Sequence, residues 1–343
     1  MRGSMPTDTA AIIANPMAGQ DLRRLVAYGA TSDNLGKVRA LQRVLIGLRE
    51  AGVRSVLYMP DGPGLVPAAW DGLSPEEQAD LTLVPLLAAI TGEPTDTVAA
   101  ARALAGSAAG CLVVLGGDGT NRLVAPHLPD LPLLPLSTGT NNAFPLHLEP
   151  TLAGLAAGLV ATGRADPARV CRREKALRVT AGGATELALV DVAFLPDAVI
   201  GARAIWQVQA VRQLVCTQGE PMALGLSALA ARACPVGRAE PGGAYLELGD
   251  GPPVRAPIAP GLFAGVGLRL ARRLAPGASV ALGPGPGVLA LDGERLLTLE
   301  AGEQAQATLV SGPLLVLPER ALAQRFLRRT EGFGPSGVEG ENG

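Results

Sequence analysis

Past residue 10, short apolar runs alternate with stretches of helical spacing, the pattern of βα units feeding a mostly parallel sheet. Ala11-Ile12-Ile13-Ala14 predicts a first strand, and Asn15-Pro16-Met17-Ala18-Gly19 the loop that leaves it. Val38, Leu41, Leu45 and Leu48 share one face of a helix from about Asn34 to Ala51, closed by Gly52. Ser55 to Met59 reads as the next strand, Thr97 to Ala105 as a second helix, and Cys111 to Leu115 as an apolar strand buried on both faces. That strand runs straight into Gly116-Gly117-Asp118-Gly119-Thr120, and a further one, Leu131 to Leu136, into Ser137-Thr138-Gly139-Thr140-Asn141-Asn142. Three strand ends thus deliver three turns of small residues, and in an open parallel sheet such ends face the crevice that binds ligands.

After an Ala-rich helix at Leu152 to Thr162 the pattern becomes short β-like runs separated by Gly and Pro: Ala176 to Val179, Leu187 to Phe194, Ala244 to Leu248, Gly287 to Leu291 and Ala307 to Val310. The expected organisation is an α/β domain at 11–150 with a mostly parallel sheet, then a β-rich, largely antiparallel domain at 165–317. A helix at 318–330, with Leu322, Phe326 and Leu327 at helical spacing, is expected to return to the first domain. Residues 1–10 read as a leader, since Met-Arg-Gly-Ser precedes Met5, and the Gly- and Glu-rich segment 331–343 reads as a loose tail.

Composition narrows the function. Of 343 residues, 48% are apolar and 17% charged, which excludes wholesale disorder. A net charge of -2 supplies no field for nucleic acid or acidic lipid, so an anionic ligand has to be held locally. Aromatic residues at 3% argue against a base-stacking surface. Leu274 to Leu291, the longest uncharged apolar stretch, is broken by Pro276, Pro284 and Pro286, so neither a span nor stable membrane association is expected. Cys111, Cys171, Cys216 and Cys234 form no CxxC pair and read as reduced core thiols of a cytoplasmic protein. With His127 and His147 the sole histidines, Cys/His zinc sites and His-activated nucleophiles are disfavoured.

The strongest chemical signal is the turn Gly116 to Thr120. Its glycines permit φ > 0 and remove every Cβ, so backbone N–H groups and the following helix N-terminus can surround phosphate oxygens. Asp118 within such a nest would repel phosphate unless it binds a cation or takes a proton, which points to magnesium-dependent phosphoryl transfer. The alternative is an Asp-Gly turn with Asp118 capping the next helix. Asp191 lies in an apolar run, where a carboxylate needs a partner. Arg172-Arg173-Glu174-Lys175, Arg272-Arg273 and Arg328-Arg329 read as solvated faces or strand edges, and Arg203 with Trp206 as a packing pair. No GxxxxGK[ST] loop occurs, and Gly283-Pro284-Gly285-Pro286-Gly287 has prolines where a dinucleotide-binding helix would start.

These residues carry a resemblance. The GGDGT turn is similar to the signature of the superfamily that joins ATP-NAD kinases with diacylglycerol and sphingosine kinases. Asn15 to Gly19 resembles its N-P-x-[SA]-G loop, Ser137 to Asn142 its G-T-x-N-[DN] element, and Asp292-Gly293-Glu294 the late D-G-E turn of its lipid-kinase branch. The segments Ile13 to Pro16 with Asp21 to Ala27, Ile200 to Trp206, and Leu289 to Arg295 look closer still to the acetoin catabolism protein X group of ATP-NAD kinase-like proteins.

The resemblance implies a nucleotide-binding α/β domain, a β-rich acceptor domain and a cleft between them. By residue it implies ATP contacts at Asn15, Gly19, Gly116, Gly117, Gly119, Thr120, Thr138, Gly139, Thr140, Asn141 and Asn142. Asp118 would orient or deprotonate the acceptor hydroxyl or help hold Mg2+; Asp292 and Glu294 would be further metal ligands, with Glu294 also a candidate base. A solvated Asp-Gly hairpin tip is the alternative for that pair. ATP and Mg2+ are the implied cofactors, NAD the acceptor, small-molecule nucleotides rather than nucleic acid the partners, and a homo-oligomer the state of assembly.

Two departures bear on the acceptor. The T-G-S-T-A-Y segment and the preceding Asn-Glu or Asn-Asp pair of ATP-NAD kinases are absent in their expected form, so NAD follows from group membership alone. Lipid kinases read Asn-Glu after GGDGT plus one residue, where this chain has Asn121-Arg122-Leu123. A lipid kinase and a non-catalytic nucleotide-binding regulator are therefore the alternatives to an NAD kinase-like enzyme.

Overall fold

The first half of the chain builds the sheet that the apolar runs predict. In this computed structural model, which describes residues 7–18, 33–137, 142–196 and 208–330, β1 (Thr9–Ala14) is followed by α1 (Asn34–Glu50), β2 (Ser55–Tyr58), α2 (Leu65–Asp71), α3 (Pro75–Gln78) and β3 (Thr82–Pro85). α4 (Pro94–Leu104), β4 (Leu112–Leu115), α5 (Asp118–Val124) and β5 (Leu133–Leu136) complete it. β3, β2, β1, β4 and β5 lie side by side in that order, all parallel. Successive side chains point to opposite faces: Ala10, Ile12 and Ala14 join one apolar cluster, Ala11 and Ile13 the other. Gly19, Thr138, Gly139, Thr140, Asn141 and the stretches 1–6, 21–27, 200–206 and 331–343 lie outside the described residues.

α1 starts where the Asp33 carboxylate accepts the Gly36 N–H at 2.7 Å. It packs against α6 (Pro150–Ala161), a helix of small residues begun by Pro150 and capped by the Glu149 carboxylate. The two backbones come so close that a Cβ on Gly154 would stand 2.2 Å from the Val44 carbonyl oxygen, and one on Gly47 2.3 Å from that of Thr151.

The remaining elements are α7 (Pro167–Val170), β6 (Cys171–Ala181), β7 (Ala184–Ala188), β8 (Asp191–Leu195), β9 (Gln213–Cys216), α8 (Ser227–Ala233), β10 (Gly243–Ala259), β11 (Leu262–Leu274), β12 (Ser279–Leu282), β13 (Gly287–Leu291), β14 (Glu294–Leu299), β15 (Ala305–Val316) and α9 (Pro318–Thr330). They are shared between two sheets. β15 pairs parallel with β5 and antiparallel with β6 and β12, and β7 follows β6, so the first sheet continues as β5-β15-β6-β7. The second sheet, β11-β10-β9-β8-β13-β14, is antiparallel throughout. One face of it, with Val192, Phe194, Val215, Leu289 and Leu291, packs on Leu177, Val179, Ala307 and Leu309 of the first sheet. Its other face, with Ala193, Leu195, Leu214 and Ala290, is covered by Ala228, Leu229 and Ala230 of α8. α9 packs on α6 and α7. The architecture is thus an α/β unit with a mostly parallel sheet joined to a β-rich antiparallel one.

The apolar run Leu187 to Phe194 does not form one strand. β7 ends at Ala188 in the first sheet and β8 starts at Asp191 in the second, because the N–H groups of Leu189, Val190 and Asp191 are taken by the Asp292 carboxylate instead of a ladder. All four cysteines are free, and burial pushes the thiols of Cys111 and Cys216 well above their ordinary range. No helix among the described residues is long and apolar enough to cross a membrane.

Candidate active site

β1, β4 and β5 end side by side, so the loops after Ala14, Leu115 and Leu136 meet at one edge of the sheet. The Asn15 N–H continues the ladder onto the Leu115 carbonyl at 3.0 Å, and the Gly116 N–H onto that of Leu136 at 3.2 Å. The Asn15 side-chain amide donates to the Thr120 hydroxyl at 2.9 Å, while its oxygen accepts the Met17 N–H at 2.9 Å. Buried Lys37 donates to the Pro16 carbonyl from behind and to the Asn34 side chain at 3.2 Å. The first loop is therefore tied to the Gly-rich turn, and the Thr120 side chain serves as the strap.

The glycines are needed for space rather than for φ. None of Gly116, Gly117 and Gly119 has a positive φ; Gly117 caps α5 at φ -93° and ψ -170°. A Cβ on Gly116 would stand 2.8 Å from the Thr120 side chain, on Gly117 2.9 Å from the Asn142 amide oxygen, and on Gly119 2.9 Å from a Glu294 carboxylate oxygen. Each neighbour is itself a motif residue, so the turn is where the motifs close on one another. Asn142 is fixed in turn by donating to the Ser137 hydroxyl at 2.9 Å.

Asp118 opens α5 without capping it. Its carboxylate turns to the next loop, where Ala143 N–H donates at 3.2 and 3.1 Å and Phe144 N–H at 2.9 Å. Two side chains from beyond the second sheet's β8–β9 pair hold that loop. Gln218 donates to the Ala143 carbonyl at 3.1 Å, and the Arg238 guanidinium lies 4.9 Å from the centre of the Phe144 ring. Arg238 is anchored at 2.9 Å to buried Glu174, which also takes Arg172 at 2.8 Å. The Arg172 to Lys175 stretch is thus no solvated edge: Glu174 is the buried centre of an ion-pair network, and Lys175 donates to the Gly237 and Glu240 carbonyls at 2.9 Å.

Asp292 and Gly293 form a two-residue hairpin loop between paired Leu291 and Glu294, with φ of 51° and 81°, the left-handed pair that an Asp-Gly turn suits. The loop is not solvated. The Asp292 side chain has no exposed surface and accepts the N–H groups of Leu189, Val190 and Asp191 at 2.7 to 3.2 Å. Burial, then the nearby Asp118 charge, raises its pKa to about 7, against the pull of those N–H groups and Arg122. Arg122, buried on α5, donates to Glu294 at 2.9 Å and stands 3.9 Å from Asp292. Asp191 is buried beside the same loop, its carbonyl accepting the Asp292 N–H at 2.9 Å.

This donor set does not fit Asp292 and Glu294 as magnesium ligands. The Asp292 oxygens are occupied by backbone N–H groups and sealed from solvent, and Glu294 is engaged by a guanidinium. Among the described residues no group of three or more His, Cys, Asp or Glu is placed to hold a metal ion. Asp118 and Glu294 are half-exposed, whereas the Asp292 side chain is sealed from solvent. Arg122, Gln218 and Arg238 were not among the residues the motifs select. Arg122 alone left a trace, as the basic residue where lipid kinases carry the Asn of their Asn-Glu pair.

Residues 72–164 match the ATP-NAD kinase N-terminal domain family, and residues 175–312 the acetoin catabolism protein X C-terminal domain family. Acetoin catabolism protein X of Cupriavidus necator is 38% identical over 310 residues, covering 87% of this chain and 86% of that protein. Yeast NADH kinase, solved in complex with NADH, shares the fold with a TM-score of 0.54 at 15% identity, covering 98% of this chain and 91% of that one. With its two halves matched in order and identity sustained over most of its length, the chain belongs to the acetoin catabolism protein X family of ATP-NAD kinase-like proteins.

Proposed function

We propose that the protein is an ATP-dependent phosphotransferase that acts on a small-molecule hydroxyl, with the ribose hydroxyl of NAD or NADH as the first acceptor to test. The observation that carries this reading is the Asp118 carboxylate, held by the Ala143 and Phe144 N–H groups at the mouth of the Gly-rich turn. That turn has backbone N–H groups without helical acceptors, as the first turn of any helix does. Asn15, Gly116, Gly117, Gly119, Thr120 and Asn142 would shape the nucleotide pocket. Of these, Asn15 and Thr120 act by joining the loops and Asn142 by bracing Gly117.

In the step proposed, Asp118 accepts the proton of the acceptor hydroxyl while the hydroxyl oxygen forms a bond to the terminal phosphorus. The bridging P–O bond breaks and its electron pair leaves on ADP. Catalysis is then mostly alignment: the carboxylate is preset by two backbone donors, and the nucleotide by the turn. Family membership and the shared fold support a kinase of the ATP-NAD type, and the name of the Cupriavidus relative connects the reading to acetoin catabolism.

The test is purified protein with MgATP and NAD, NADH or diacylglycerol, followed by ADP release and product mass. NADP or NADPH is expected. ATP binding without transfer to any acceptor would remove the enzyme reading and leave a nucleotide-binding regulator; a phosphorylated lipid would move the acceptor to the lipid class.

A further inference from the structure

Where α5 meets the hairpin of the second sheet, two carboxylates share one guanidinium. Arg122 lies four residues after Asp118, on the same side of α5. Its side chain is 5% exposed, with Nη2 2.9 Å from Glu294 Oε2 and Nε 3.9 Å from Asp292 Oδ2. The Asp118 charge is close enough to act on Asp292. A magnesium ion would demand near-octahedral oxygen ligands at about 2.0–2.1 Å. Here the Asp292 oxygens face backbone N–H donors and Glu294 faces the guanidinium. An arginine stays protonated throughout the physiological range, so this positive charge neither exchanges nor titrates.

We infer that Arg122 is a resident cation that takes the place of a protein-held divalent ion: it neutralises Asp292 and Glu294, and a divalent ion enters the crevice only on the nucleotide. The inference adds to the proposed phosphotransferase, yet it is tested without turnover, so the two stand or fall separately. Replacing Arg122 with a neutral side chain leaves Asp292 and Glu294 without their guanidinium, and the half-exposed Glu294 side of the seam then attracts a small divalent cation.

The experiment is a Mn2+ titration of nucleotide-free full-length protein, read from the paramagnetic resonance signal of free Mn2+, with unfolding midpoints in Mg2+ and in chelator. The wild type is expected to leave the Mn2+ signal unchanged and to unfold at one midpoint in both media. Arg122→Gln is expected to bind Mn2+ at least about tenfold more tightly than the wild type, about 1.4 kcal/mol, and to gain midpoint in Mg2+. Adding Glu294→Gln to it should remove the gain. A folded Arg122→Gln that ignores Mn2+ overturns the inference. Should that variant not fold, the wild type and Glu294→Gln decide alone: Mn2+ bound by the first and lost from the second overturns it, and none bound by either upholds it.

Discussion

Asp292 is an acid whose surroundings disagree about its charge. Burial and the Asp118 charge raise its pKa to about 7, while three N–H donors and Arg122 oppose the rise. Between about pH 4, the ordinary carboxylate value, and 7 the folded chain keeps a proton that the unfolded chain has released. Stability should therefore be fullest at the acid end of that window, fall as pH rises through it, and level off above. Asp292→Asn should flatten this slope in urea titrations at several pH values; an unchanged slope would assign it to other groups. Asn15→Ala removes the bond to the Thr120 hydroxyl, a loss of about 0.5–1.5 kcal/mol. Because that bond joins the first loop to the Gly-rich turn, the two loops of the proposed nucleotide pocket, nucleotide affinity should weaken by roughly three- to tenfold. At this scale the sequence shows the motif residues but not how they are used. Gly116, Gly117 and Gly119 stand out by type, yet the need they meet is contact with Thr120, Asn142 and Glu294, and two of those three neighbours come from distant segments.

α1 and α6 cross at glycines, and the separation of the helices is set there. Gly154→Ala would gain up to about 1 kcal/mol of helix propensity, but its methyl would meet the Val44 carbonyl at 2.2 Å, closer than any real contact. Forcing the helices apart should cost more than it gains, on the order of 1–3 kcal/mol net, measurable as a lowered denaturant midpoint. An unchanged or raised midpoint would mean that the crossing relaxes. The parallel strands were legible because β1 and β4 are buried on both faces and so stay apolar without interruption. Other elements were not. β3, Thr82–Pro85, is a short, mostly exposed edge strand whose apolar residues run on through Pro85 into the following loop, and β7 and β8 read as one strand because the break between them is made by Asp292, about a hundred residues later. β15 carries a recognisable apolar run, Ala307 to Val310, but nothing local says that it inserts beside β5.

Across the whole molecule, the two sheets pack through an apolar interface, and polar contacts join the surrounding elements beside the Gly-rich turn. Glu174 on β6, Arg238 beyond α8, Phe144 after β5 and Asp118 on α5 form a chain of contacts. Arg238→Ala should destabilise by less than the ~3–5 kcal/mol of a severed buried pair, because Arg172 still faces Glu174. It should also release Phe144, so that turnover falls further than nucleotide affinity does. A parallel fall in both would place Arg238 in folding alone. The proposed action of Asp118 on an acceptor hydroxyl is tested most directly by comparing wild type with Asp118→Asn in nucleotide affinity and in phosphate transfer to NAD. Near-equal ATP affinity, an unchanged circular dichroism spectrum and transfer lower by about 10²–10⁴-fold are expected. Transfer at the wild-type rate from the folded variant would contradict that action of Asp118.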